Sequence, residues 1–390
     1  MKYSDKNPVP GVNKEKLKIL IVDLSLKYGG ASTRAVSIAR SLSPWDCAIV
    51  GIRKSPVVLL SETLGIPVRE VGFSRIDPFI PFRLAKIIRS ENIDIIDTQN
   101  IQSKFWVSIT RLFVRFSFVS TVNSDYKLEN GRSWKSYLYN LIDTLTNSKV
   151  DRYIAVSDAI KKRLIKNAVQ EDLIDLNRNS IDIDQIYINS HLDVSVIRED
   201  IGISSDEILF VLVGRLVWAK GFDDFIRSFE IVVKHFRNVK AVIVGEGGLR
   251  ESLENQIEEL GLKDYITLMG YKKQSEVFDV LRAGDIYVIS SRSEGIPYSL
   301  LEAAAVGLPI ITTNCGGIPE VVKDNETAIV VPVGDPFSLS KAILTLCADR
   351  DFAKQLGDAA QSHIKKYYSL SAQTFAIKES YLQAYRNGRH

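Results

Sequence analysis

Four side chains in two short stretches have types and spacing that could do chemistry. Ser290–Pro309 reads SSRSEGIPYSLLEAAAVGLP and carries Glu294 and, eight residues on, Glu302. An apolar strand over Asp285–Ile289 runs into this polar loop, and a helix is predicted to begin near Tyr298. The start of a helix offers unpaired amides and a partial positive charge, which suits a phosphate. Carboxylates beside such an anion hole make poor phosphate ligands. They are good acceptors for sugar hydroxyls, which lie on either side of the diphosphate in a nucleotide sugar. Alone, the two read equally well as a capping Glu294 and a solvated Glu302. The second stretch, Val211–Phe222 (VLVGRLVWAKGF), holds Arg215 and Lys220 in a loop bounded by Gly214 and Gly221. Arginine brings a forked contact and lysine a point charge, so the loop can wrap a leaving diphosphate. As a pair they read as two surface cations; beside the acidic helix of the same half they read as a site.

Such loops need strands that end beneath them. Lys18–Leu24 (KILIVDL) is nearly all apolar without alternation, the pattern of a parallel strand covered on both faces. Tyr28-Gly29-Gly30 follows, then a helix from about Ala31 to Leu42, and strands over Cys47–Ile52, Ile93–Ile96, Phe118–Val122 and Tyr153–Val156. Helices fit Pro81–Arg89, Trp134–Asn147 and Asp158–Asn167, the last with Ser157 as N-cap. After a polar stretch over Ser190–Asp206 the alternation restarts. Strands are predicted at Ile208–Val213, Val239–Val244, Ile266–Met269, Ile286–Ile289 and Pro309–Thr312, with helices at Phe222–His235, Leu249–Leu260, Glu276–Arg282 and Tyr298–Val306. The chain from Pro336 is helical, ending in a helix over Ser371–Arg386. Two βαβ series predict an α/β protein of two facing, Rossmann-like, doubly wound domains with a cleft between them. Ligands would meet the loops after Leu24, Val122, Val213, Val244, Met269, Ile289 and Thr312.

Bulk composition narrows the class. With 390 residues, 45% hydrophobic and 25% charged, the chain suits two globular domains. No apolar run approaches the ~20 residues of a membrane-spanning helix. Residues 1–16 are polar and read as a flexible lead-in rather than a signal peptide. Cys47, Cys315 and Cys347 have no zinc-ligand spacing, which favours a reduced, cytoplasmic setting. The four histidines lie in no site-like stretch. Residues 1–190 hold 28 Lys+Arg against 20 Asp+Glu, a net +8, whereas the remainder is −5. The basic half is either an unevenly charged solvated surface or a face steered toward an anionic acceptor or surface.

The ordered set GRLVWAKG, VGEGGLR, SRSEGIPYSLLEAAAVGLPII and NCGGIPEVV resembles the family-4 retaining glycosyltransferases of the GT-B fold. Tyr28-Gly29-Gly30 and IAVSDAIKKRL extend the likeness over most of the chain. The resemblance implies an acceptor-binding domain over 17–192, a nucleotide-sugar-binding domain over 193–370 and a helix over 371–390 packing back on the first. It implies that Glu294 binds donor-sugar hydroxyls, Glu302 the ribose, and Arg215 and Lys220 the departing phosphate. The amides of Tyr298, Ser299 and Leu300 would meet the distal phosphate. Gly214 floors the cationic loop, Tyr271 lies where the base is read, and Gly29 and Gly30 let backbone approach the donor. No cofactor and no metal is expected, because the two cations supply the charge a metal would bring. The expected partners are a nucleotide-diphosphate sugar and a glycan, lipid-linked or small-molecule acceptor, with no nucleic acid.

Asp97 and Asn123 stand where the family commonly has histidine, and with Asp125 they are the acceptor-side candidates. Those departures leave open a catalytically quiet binding protein, and the architecture also serves sugar-nucleotide epimerases. Asp182 and Asp184 have Asp-x-Asp spacing but fall at the expected domain junction, as a surface loop. Gly245-Glu246-Gly247-Gly248 lacks the sixth glycine of a dinucleotide fingerprint and reads as a tight turn. Phe105–Phe118 (FWVSITRLFVRFSF) reads as a helix and buried strand, or as an aromatic and basic contact with the inner face of a membrane.

Overall fold

The computed structural model describes residues 16–27, 29–124, 141–183 and 193–388. In the first domain the elements run β1 (Lys18–Val22), α1 (Gly30–Ser41), β2 (Asp46–Gly51), α2 (Pro56–Thr63), β3 (Val68–Glu70), α3 (Ile80–Glu91), β4 (Ile95–Thr98), α4 (Ile101–Thr110), β5 (Ser117–Val122), β6 (Arg152–Ala155), α5 (Asp158–Lys166) and β7 (Ile174–Leu176). The strands form one parallel sheet in the order β3-β2-β1-β4-β5-β6-β7, with Leu20 of β1 opposite both Ala48 and Ile96. Residues 141–146 are helical; the rest of the helix expected from Trp134 lies outside the described residues. Ser157 caps α5 by accepting from the Ile160 amide at 3.2 Å.

The second domain runs α6 (Val194–Asp200), β8 (Ile208–Val213), α7 (Phe222–His235), β9 (Val239–Val244), α8 (Arg250–Glu259), β10 (Ile266–Gly270), α9 (Gln274–Ala283), β11 (Ile286–Ile289), α10 (Tyr298–Val306), β12 (Ile310–Thr313), β13 (Ile329–Val331), α11 (Pro336–Ala348) and α12 (Arg350–Tyr367). Its sheet order is β10-β9-β8-β11-β12-β13, again parallel. The run ILFVLV of β8 shows why such strands lack alternation. Leu209 and Val211 enter one buried cluster while Phe210 and Leu212 enter the other, on opposite faces. Each such side chain contributes roughly 1.5–3 kcal/mol by its burial. The polar stretch after 190 is more than a linker. Asp193 caps α6, Ile197 is buried, and Arg198 reaches Asp285 at 3.0 Å beside β8.

Ile181 bridges Ser369, so two passages of chain between the sheets touch each other. The helix that follows, α13 (Leu370–Asn387), buries Ile377, Tyr381 and Ala384 in the same cluster as Leu17, Ile19 and Ile21 of the first domain.

The sheet order β8-β11-β12 sets three strand-end loops side by side: Gly214–Lys220, Ser290–Pro297 and Asn314–Pro319. The run Ala303-Ala304-Ala305, at most 1% exposed, lets α10 lie close on the sheet behind them.

Candidate active site

At the end of β8 the chain makes a 3-10 turn over Trp218–Lys220. It points the Lys220 ammonium at Glu294 Oε1, 2.5 Å away, and Ser291 Oγ donates to the same oxygen at 2.7 Å. The lysine stem lies over Gly214, where a Cβ would stand 3.1 Å from its Cε. The loop after β11 is stitched to this turn. Arg292 N donates to Ala219 O at 2.7 Å and Ser290 Oγ to Lys220 O at 3.0 Å. The Arg292 side chain lies over the Trp218 ring and pairs with Asp223 and Asp224 at 2.7 and 2.6 Å. Arg292 was not singled out from the sequence, although it sits inside the SSRSEG motif.

Gly316, at φ +55°, seals the third loop against the second: a Cβ there would stand 1.7 Å from Glu294 O. Helix α10 begins with Pro297 at its N-cap and no side-chain cap, and it has no acidic residue in its first turn. Its leading amides therefore keep their partial positive charge for another anion. The Leu300 amide, expected among the phosphate ligands, instead donates to Pro297 O at 3.2 Å. Tyr298 is buried and Ser299 half-buried. Glu302, one turn on, is 5% exposed and accepts from Gln274 Nε2 at 2.5 Å. Burial pushes its carboxyl up to about 7, against the single amide hydrogen bond that lowers it. Gln274 was also missed; it opens α9, just beyond Tyr271, which is 61% exposed. Arg215 lies exposed in the loop that leads to Lys220. Among the described residues no group of His, Cys, Asp and Glu is arranged to hold a metal.

The model for "Glycosyl transferases group 1" matches residues 193–363, and that for "Glycosyltransferase Family 4" matches residues 28–185. The chain is a family-4-type glycosyltransferase of the GT-B fold. An uncharacterized glycosyltransferase of Methanocaldococcus jannaschii is 26% identical over 292 residues, covering 73% of each chain. The GPI3 subunit of the Saccharomyces cerevisiae phosphatidylinositol N-acetylglucosaminyltransferase is 29% identical over 260 residues, 66% of this chain and 56% of that one. The match thus spans little more than half of the yeast subunit. Anabaena HepE, solved with UDP-glucose, shares the fold at a TM-score of 0.82 and 19% identity, covering 93% of this chain and 98% of HepE.

The glycosyltransferase meets these loops with its first domain. A Cβ on Gly30, at the start of α1, would stand 3.7 Å from Tyr298 Cδ2, so the Gly29-Gly30 turn faces α10. Tyr28 lies outside the described residues. The turn is anchored by Asp23, fully buried, which accepts from Ser32 Oγ, Ser25 N and Asn100 Nδ2 at 2.5, 2.9 and 2.7 Å. Asn123 is brought to the same place: a Cβ on Gly295 would stand 2.3 Å from its carbonyl oxygen, and its side chain donates to Gln99 O at 3.0 Å.

Asp97 is not brought there. Expected on the acceptor side, it is fully buried in the central strand β4. Thr121 Oγ1, Gln99 Nε2 and Tyr381 OH donate to it, the last at 2.7 Å from α13. Burial raises its carboxyl to about 6 despite those bonds and the nearby Arg34 charge. In this structure the aspartate ties α13 to the first sheet. Asp125 lies outside the described residues, as does Asp184.

Arg34 was likewise missed. It is fully buried in α1 and donates to Asn177 and Asn179 at 2.6 and 2.9 Å, and Asn179 Nδ2 donates on to Ile296 O at 2.7 Å. This relay couples the first domain to the loop that opens α10. Glu246, in the turn after β9, is paired to Arg250 at 2.6 Å.

Proposed function

We propose that this enzyme transfers a sugar from a nucleoside-diphosphate sugar to a hydroxyl acceptor with retention of anomeric configuration and without a divalent metal. One observation carries the reading: Lys220, Glu294 and the start of α10, which no side chain caps, lie at adjacent strand ends. Charge develops on the β-phosphate oxygen as the C1–O bond breaks. Lys220, Arg215 and the amides of Tyr298 and Ser299 stabilise that charge from fixed positions. Among the described residues the Lys220 ammonium bonds Glu294, a contact that orients it across the loop with N–H bonds to spare for phosphate. Glu294 accepts from donor-sugar hydroxyls with its remaining lone pairs, and Glu302 accepts from the ribose. The acceptor oxygen bonds to C1 on the face the phosphate leaves, and its proton passes to the departing phosphate. UDP-glucose in HepE and the GlcNAc-transferring yeast relative favour a UDP-hexose donor. The name of that relative also favours a lipid-linked acceptor.

The test is nucleoside-diphosphate release from a panel of donors, with proton NMR of the product anomer. We expect release to depend on acceptor, to survive EDTA and to vanish in Arg215→Ala. A cognate nucleotide should stabilise the fold by about 2.7 kcal/mol at a hundredfold excess over Kd. Inversion of the anomer, or loss of turnover on chelation, would remove the mechanism.

A further inference from the structure

The first domain carries a surface that sugar transfer does not use. The loop from β3 into α3 presents Phe73, Ile76, Phe79 and Phe82 at 76%, 77%, 61% and 55% exposure, and Leu112 and Phe113 just after α4 add 68% and 41%. The Phe82 ring lies 4.9 Å from Phe113 and 6.5 Å from Phe79, centre to centre, which joins the two elements. The tip is held rather than loose. Trp106 Nε1 donates to Arg75 O at 2.7 Å, and Arg89 donates to Phe113 O at 2.6 Å. No described residue covers these side chains. Contiguous exposed apolar surface of this kind marks an interaction site.

Charge indicates the occupant. Residues 73–89 and 111–115 contain six Lys and Arg against one acid, Asp77. That acid is already paired with Arg83 at 2.5 Å and accepts the Phe79 amide at 2.9 Å. Arg53 stacks over Phe73 at 5.0 Å, so a cation flanks the outermost ring as well. Protruding aromatic and aliphatic tips ringed by cations match the boundary of an anionic bilayer, where rings enter the headgroup level and cations meet lipid phosphates. No described helix is long and apolar enough to cross a membrane, so attachment would be peripheral. We propose that this face of the first domain docks on an anionic membrane surface, with the Phe73–Phe82 segment inserted at headgroup depth.

Flotation of the full chain with phosphatidylcholine vesicles, with and without 30% phosphatidylglycerol (roughly the anionic content that makes surface charge matter), tests this directly. We expect binding to the anionic vesicles at least tenfold tighter than to the neutral ones, weakening as salt is raised. The triple variant Phe73→Ser, Ile76→Ser, Phe79→Ser should lose at least tenfold, and Lys86→Glu with Arg89→Glu at least as much. All of these positions are exposed, and circular dichroism melting checks that each variant folds. Failure of the folded wild type to bind anionic vesicles would overturn the proposal, as would unchanged binding by the folded triple variant. A dimer seen by light scattering without lipid, and abolished by that variant, would assign the face to a second copy instead. Donor hydrolysis in detergent-free buffer should be the same in all variants, which separates this outcome from failure of the sugar-transfer reading.

Discussion

Around the donor-side loops of the second domain, Lys220, Ser291 and Glu294 meet within 2.7 Å, and Arg292 ties their loops to α7 through two carboxylates. On the first domain the facing turn at Gly29-Gly30 hangs on one buried carboxylate, Asp23, and a Cβ on Gly29 would meet nothing within 4 Å. One side is a preassembled electrostatic device built within a single domain, although Lys220 and Glu294 are 74 residues apart. The other is an open surface whose supports come from Asn177, Asn179 and α13, far along the chain. The difference suggests a division of labour. On the proposed mechanism, leaving-group chemistry is the same for any acceptor and can be rigid, which would leave acceptor choice to the less crowded side.

Breaking the rigid side should have the largest effect. Lys220→Ala should lower kcat by about 10²–10³, read as nucleoside-diphosphate release. It strips a preorganised cation and leaves Glu294 without its counter-ion. If Lys220→Ala kept wild-type turnover, the pair would be a structural clip. Next comes a matched pair of glycines. Gly316→Ala forces a Cβ onto Glu294 O at positive φ and should cost about 1–3 kcal/mol in urea unfolding, with a fall in kcat/KM. Gly29→Ala, extended at φ −171°, should cost below about 1 kcal/mol. A drop in activity at unchanged stability in Gly29→Ala would show that this turn touches substrate.

Acidity sharpens the comparison further. The Glu302 carboxyl titrates near 7 when folded, above its ordinary value of 4.5. Its protonated form therefore favours the fold below about 4.5, and that contribution is lost as pH rises through 7. Hydroxyls donating to the carboxylate have the opposite preference, so nucleotide affinity should rise between pH 6 and 8. Glu302→Gln should flatten both profiles in a thermal-shift titration. The smallest effect on catalysis belongs to Tyr381→Phe, which removes one hydrogen bond from buried Asp97. It should cost about 1–3 kcal/mol and leave acceptor KM unchanged. A changed KM would return Asp97 to the acceptor side.

Much of this was legible in sequence. The strands β1 and β8 are covered on both faces and so appear as nearly unbroken apolar runs. The cations and carboxylates sit at the ends of such runs, where a parallel sheet exposes its loops. The short edge strands β3 and β13, three residues each, have too little burial to leave a pattern, and α2 was missed with them. Asp97 looked like a site residue because its strand end is the right address. Its actual partner, Tyr381, lies 284 residues away, and no local spacing reveals that. Arg292 was hidden for a different reason: its work is to hold loops, and a lone arginine in a polar loop looks like surface. The segment Phe73–Phe82 lies outside the aromatic stretch over 105–118, which adds Leu112 and Phe113 to the patch. The helix–strand and membrane readings of 105–118 are compatible, because α4 and β5 pack inward while Leu112 and Phe113 between them point out.

The return of α13 sets an order of assembly during synthesis. Ile377, Tyr381 and Ala384 fill one face of the β1 sheet, yet they are made only after the entire second sheet. At ~5–20 residues per second the nascent first lobe waits tens of seconds with that face only partly covered by α1 and α2, so the second lobe completes its core first. The growing polypeptide would be most exposed to chaperones through the lobe that was translated earliest.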